Sequence, residues 1–138
     1  MRLKHLILLA AALTSMGLLF AQTNGQNAQV AAGGVQRTVV ERGDVSVPGR
    51  EAVGISVEIA PGARTGRHTH PGDEIDYVIE GTGELLIDGK PAKPLQPGVA
   101  SVIPGGTIHD AHNNSSQPLK IWAVFHVEKG KPITAPVQ

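Results

Sequence analysis

The sequence predicts an all-β domain with its strands closed into a sandwich or barrel, and three observations carry that expectation. Apolar and polar residues alternate with a period of two, most plainly in AVGISVEIA, where Val53, Ile55, Val57 and Ile59 share one face. Turn formers are dense: 17 Gly and 10 Pro among 138 residues break these runs at short intervals. From residue 37 onward no window keeps a helical period for three turns, and no internal repeat is present.

Residues 1–21 stand apart from the barrel. MRLKHLILLAAALTSMGLLFAQ has a basic start at Arg2 and Lys4, an apolar run from Leu6 to Phe20, and the small Ala21 before an expected cut. That is the anatomy of a secretory signal peptide, with an uncleaved anchor as the competing reading because Leu19 is large for its place. Export to the periplasm or the extracellular space follows, with no membrane contact once the leader is cut. Residues 22–36, QTNGQNAQVAAGGVQ, are expected as a flexible linker. Loss of Arg2 and Lys4 with the leader would leave ten basic against twelve acidic residues, a net charge of −2.

The domain proper is expected over residues 37–131, with 132–138 as a C-terminal tail. RTVVERGDVSV forms a first strand and VPGRE a turn. AVGISVEIA is the second strand, and PGARTG breaks it. HTH is short and extended, DEIDYVIE is a strand, and GTG turns the chain. ELLI and KPAKPL flank Asp88-Gly89, a tight-hairpin signal. PGVASVIP, a short strand within GGTIHDAHNNSSQ, and the long PLKIWAVFHVEKG complete the set. Closure of such short strands removes exposed edges.

Composition narrows the function. The whole chain has 12 basic and 12 acidic residues, so nothing suggests a nucleic-acid surface or an acidic tail. Cysteine is absent, which excludes thiol catalysis, disulfides and lipoprotein anchoring, and leaves core, metal or oligomerisation to stabilise an exported domain. Aromatics are only 3%, too few for a large stacking platform.

The chemistry-bearing stretch is PGARTGRHTHPGDEIDYVIEGTG. On a strand, His68 and His70 project to the same face, and the turn at Pro71-Gly72 lets Glu74 return to that side. A second cluster downstream holds His109, His112 and Asn113. Imidazoles with one carboxylate make a mixed nitrogen and oxygen shell for a first-row divalent ion.

Taken together, the two segments resemble the paired signatures of the cupin superfamily. Gly62, His68, His70, Glu74 and Gly81 meet the first signature, G, five residues, HxH, three residues, E, six residues, G. Gly98, Pro104, Gly106, His109 and Asn113 meet the second, G, five residues, PxG, two residues, H, three residues, N. Sixteen residues separate Gly81 from Gly98, as in small single-domain members. The resemblance implies a double-stranded β-helix, a jelly-roll barrel, with His68, His70, Glu74 and His109 as ligands of one divalent first-row metal. Iron or manganese is favoured, with nickel, cobalt, copper and zinc also accommodated. Each ligand histidine should donate its other ring N–H to a carbonyl or water.

Gly62, Gly81, Gly98 and Gly106 are expected as turn residues, and Asn113 as a turn stabiliser. His112 should face away from His109, and at most one of Trp122 and Phe125 should face inward. His126 is open between a wall position and an interior one, where it would relay protons. Tyr77 either lines the pocket or packs the wall. Asp73 and Asp76 are expected in solvent, and Arg64 and Arg67 on the surface, with a clamp on an anionic substrate as the alternative.

The functional expectation is a small metal-dependent enzyme of the non-haem dioxygenase, quercetinase-like type. It would act on a small organic substrate, with Glu74 as catalytic base. A metal-dependent isomerase, decarboxylase or lyase is the rival within the enzyme class. A non-catalytic ligand-binding, metal-binding or sensor module is the rival outside it. Small cupins commonly pair through N-terminal strands, so a homodimer is expected through residues 37–51.

Overall fold

The computed structural model describes residues 28–31 and 33–138. The expected leader, residues 1–21, lies outside them, and among the described residues no helix is long and apolar enough to cross a membrane. The chain is all-β. Its strands are β1 (Ala28–Ala31), β2 (Val35–Asp44), β3 (Arg50–Ile59), β4 (His68–Thr69), β5 (Asp73–Glu80) and β6 (Gly83–Ile87), then β7 (Lys93–Leu95), β8 (Ala100–Ile103), β9 (His109–His112), β10 (Leu119–Glu128) and β11 (Ala135–Pro136).

Two antiparallel sheets form, ordered β1-β2-β3-β10-β5-β8 and β11-β4-β9-β6-β7. Period-two burial decides what faces the core. On β3, Val53, Ile55, Val57 and Ile59 are buried, as their alternation predicts. On β10, Leu119, Ile121, Ala123, Phe125 and Val127 point inward. These two strands pair along their whole length, from Leu119 opposite Ile59 to Glu128 opposite Arg50, and form the spine of the larger sheet. Phe125 is therefore inside, while Trp122 lies outside against Gly54, where a Cβ would stand 2.7 Å from the indole.

Several expectations change. The stretch expected as linker contains β1 and the start of β2, and β1 pairs with β2 from Ala28 opposite Thr38 to Ala31 opposite Val35. Val35 belongs to the core, so the barrel begins earlier than residue 37. The expected tail carries β11, which pairs with β4 (Ala135 opposite Thr69, Pro136 opposite His68). The turn at Asp88-Gly89 exists, with Lys90 N–H donating to the Ile87 carbonyl. It does not close a two-residue hairpin: the β6–β7 ladder stops at Leu85 opposite Lys93, while Leu86 and Ile87 pair with β9. Pro91 lacks the N–H that a tight ladder needs there.

Gly62, Gly81, Gly98 and Gly106 all have positive φ, between 75° and 88°. Gly81 is the most constrained, since a Cβ there would also run into the Pro118 carbonyl oxygen. Asn113 is fully buried and ties the turns together. Its side-chain amide donates to the Ile59 and Gln117 carbonyls at 2.8 and 2.7 Å, and its carbonyl accepts from Ser115 N–H and Oγ at 3.0 and 2.8 Å.

Candidate metal centre

Strand β4 and the residue after it present His68 and His70 on the same inward side, with Thr69 between them turned away. Strand β9 lies beside β4, with His109 directly opposite His68. Strand β5 delivers Glu74 from the other sheet. All four residues are buried at 7% exposure or less. The three imidazoles have ring centroids 4.2 to 5.1 Å apart, and each offers a ligating atom within 4.8 Å of the others.

Each ring is locked from behind. His68 Nδ1 donates to the Gly66 carbonyl at 2.6 Å, His109 Nδ1 to the Thr107 carbonyl at 2.9 Å, and His70 Nδ1 to the Ile133 carbonyl at 2.7 Å. A carbonyl accepts only, so in a neutral ring Nδ1 holds the proton and Nε2 a lone pair. The first two acceptors lie two residues upstream of their histidines. The third comes from residues 132–138.

Glu74 completes the arrangement. Its Oε2 sits 3.1 Å from Nε2 of both His70 and His109. Glu74 Oε2 and His70 Nε2 are nevertheless buried without a hydrogen bond. Neutral imidazole nitrogens facing a carboxylate oxygen at this distance are acceptors set against an acceptor, which a metal ion, or a proton held on one of the rings, reconciles. The donor set fits a divalent first-row ion, since imidazole nitrogen and carboxylate oxygen suit such metals.

The electrostatics follow from burial and proximity. Burial alone raises Glu74, but the nearby His109 and His70 rings outweigh it and hold the carboxyl below the usual carboxylate range. Burial lowers His68 to about 4, aided by the other two imidazoles, so this ring is neutral near pH 7. Burial also opposes charging of His109, but Glu74 and the Thr107 carbonyl raise it.

The four residues line a small pocket inside the barrel that is partly open to solvent. Ile55, Val57, Ile59, Leu85, Ile121 and Phe125 form apolar walls, and Phe125 packs 4.7 Å from the His70 ring. Arg37, Thr65, Asp76 and Thr134 add polar groups.

The other candidates separate clearly. Asp73 is exposed and accepts from Gly105 N–H at 3.0 Å, as a solvated residue would. Asp76 overturns its expectation: it is buried in the pocket, with Oδ1 unpartnered. Burial, then the neighbouring Glu74, pushes its carboxyl up to about 9. The period of two already placed 76 on the face of 74, and that signal was sufficient to find it. His126 lies on the outward face of β10, away from the pocket, so it relays no proton there. His112 turns outward from His109 and meets Glu84 at 2.9 Å. Tyr77 is exposed on the outer face. Arg64 pairs with the buried Asp110 at 2.9 Å and Arg67 with Asp88 at 2.5 Å, both outside the pocket lining.

Comparison with known proteins extends these observations. A family described as Cupin domain matches residues 55–128. The rhicadhesin receptor of Pisum sativum is 29% identical over 104 residues, 66% of this chain and 46% of that protein, so the chain spans about half the length of this curated relative. Among solved structures, a double-stranded β-helix protein of Klebsiella pneumoniae superposes with a TM-score of 0.65 at 20% identity, covering 80% of this chain and 90% of that one. KdgF of a Halomonas species does so at 0.56 and 29%, covering 72% and 86%. The signatures, the two-sheet barrel and a family match spanning more than half of the residues agree, and the chain belongs to the cupin superfamily as a small cupin-domain protein.

Proposed function

We propose that this chain is an exported, metal-dependent enzyme of the non-haem dioxygenase type acting on a small organic substrate, with His68, His70, Glu74 and His109 as the metal ligands. The observation that carries the reading is the convergence of three carbonyl-locked imidazoles on Glu74 at the floor of a pocket. A divalent ion held there would supply Lewis acidity and, if redox-active, an electron-transfer centre.

The chain's own residues supply the rest. The carbonyls of Gly66, Thr107 and Ile133 keep each Nε2 lone pair aimed inward. Phe125 and the β3 side chains exclude bulk water, which strengthens every polar interaction in the pocket. Glu74 is the group proposed to accept a proton from bound substrate. Asp76 favours a second reading, a metal-dependent lyase, decarboxylase or isomerase. Two residues along the same strand, it places a second carboxyl in the pocket, and such chemistry needs a proton returned to carbon or oxygen.

Metal analysis of the untagged protein tests the first step. About one metal per chain is expected, lost in His68→Ala and reduced in Glu74→Ala. No metal after reloading would overturn the enzyme reading and leave a ligand-binding module. Oxygen uptake with candidate substrates separates the dioxygenase from a lyase, which turns over anaerobically.

A homodimer is part of the proposal. Among the described residues, strand β1 covers β2 only at residues 35–38, so residues 39–44 keep one edge free, as pairing through the N-terminal strand requires, and Val40 and Val47 are exposed nearby. A larger group of exposed apolar side chains lies on the outer face of β5 and β8, at Ile75, Tyr77, Ile79 and Val102, and that face is the proposed seam. Mass by light scattering tests it, with a dimer expected and reduction to a monomer in Val102→Glu.

A further inference from the structure

Of the arginines the structure describes, Arg37 alone lines the pocket. It sits on β2 between Val35 and Val39, residues of the same parity that pack into the core, so its side chain is directed inward across from Val57. Arg42, Arg64 and Arg67 each have a carboxylate partner. Among the described residues Arg37 makes no ion pair and no side-chain hydrogen bond, although it is half-buried. Burial lowers its pKa against the pull of Glu74, the direction expected of a cation short of solvation. A guanidinium cannot escape that cost by losing its proton, and no carboxylate of the described residues occupies its fork, so its donors are free for a ligand in the pocket.

Charge points the same way. With a divalent ion, three neutral imidazoles, Glu74 and Arg37, the pocket keeps at least one net positive charge even with Asp76 ionised. An anion completes it. The walls choose which anion: Ile55, Val57, Ile121 and Phe125 suit a carbon skeleton better than an inorganic oxyanion. The flat donor fork of arginine matches a carboxylate in two parallel hydrogen bonds.

We propose that the pocket takes a small organic carboxylate, with Arg37 gripping its carboxylate group and the histidine–Glu74 cluster facing the reacting end. This deepens the metal-enzyme reading and rests on it for the role of the cluster, while the grip of Arg37 stands on its own geometry.

Calorimetric titration of the untagged, metal-loaded protein with malonate and succinate, alongside the neutral malonamide and inorganic phosphate, tests the assignment. Arg37→Met keeps the apolar stem and removes the fork, and Arg37→Lys keeps the charge alone. At least one dicarboxylate is expected to bind wild type, and Arg37→Met to weaken it by about tenfold or more. Arg37→Lys should fall between, and malonamide should bind weakly and equally to wild type and Arg37→Met. Metal content is measured on every variant and should not change. Dicarboxylate binding as tight in Arg37→Met as in wild type would overturn the assignment. So would malonamide or phosphate matching the acids, or no acid binding at all. Should Arg37→Met fail to fold, Arg37→Lys decides: binding equal to wild type counts against the fork. Repeating the titration on metal-free protein separates the two readings. Arg37-dependent binding in a chain that never retains metal sinks the enzyme and keeps the clamp. One metal per chain with no Arg37 dependence does the reverse.

Discussion

At Asp76 two effects push the same way: the barrel wall withholds water from the carboxyl, and Glu74 adds a like charge beside it, so its pKa stands at about 9 against an ordinary 3.8. Between those values the unfolded chain holds fewer protons at this residue than the folded one. Its contribution to stability is therefore greatest toward acid and falls as pH rises through the window. Asp76→Asn mimics the neutral form. In metal-free protein it is expected to raise the melting temperature, with a larger gain at about pH 8 than at about pH 5. A gain independent of pH would show that the carboxyl is not held neutral. Asn113 runs the opposite way: four hydrogen bonds converge on this fully buried side chain. Asn113→Ala should cost about 2–4 kcal/mol in urea unfolding, because buried carbonyls and an N–H lose their partners. The convergence of His68, His70, Glu74 and His109 was legible from the spacing of the signatures, and Asp76 and Arg37 were there to be read from strand parity. Parity was applied to the histidines but not extended to residues that looked like ordinary surface charges.

At the scale of elements, the strands were legible wherever one face is buried and the other is not. β3, β5 and β10 show that alternation openly. The short strands β1, β4 and β11 were missed or left indistinct because two to four residues carry no period, and pairing with a neighbour alone defines them. Gly81 shows what the linking turns require. Gly81→Ala should destabilise the protein by about 2 kcal/mol or more, since it combines positive φ with a collision against the Pro118 carbonyl. Thermal unfolding checks this, and a neutral result would mean that the turn rearranges freely. The β11 segment bears on the site itself. Deleting residues 132–138 removes the Ile133 acceptor and is expected to weaken metal binding by about 10–100-fold, the usual effect of losing a ligand's orienting partner. Competition with a chelator measures it, and unchanged affinity would show that His70 needs no such anchor.

For the whole molecule, closure was foreseeable and the order of strands was not. Burial on one face says that a strand belongs to a barrel, but not which strand lies next to it. β10 inserts between β3 and β5, joining segments far apart in the chain, and no local pattern announces that order. The hydrogen bond from His70 to Ile133 adds a consequence in time. The clustered side chains of β4, β5 and β9 are synthesised well before Ile133, and β10 must be in place before the larger sheet is whole. A nascent chain therefore carries His70 without the carbonyl that aims it, while His68 and His109 have theirs two residues upstream. The finished cluster forms only after the last strands have emerged, so a metal bound there would come from the pool of the place where the chain completes folding, not that of the place where translation begins.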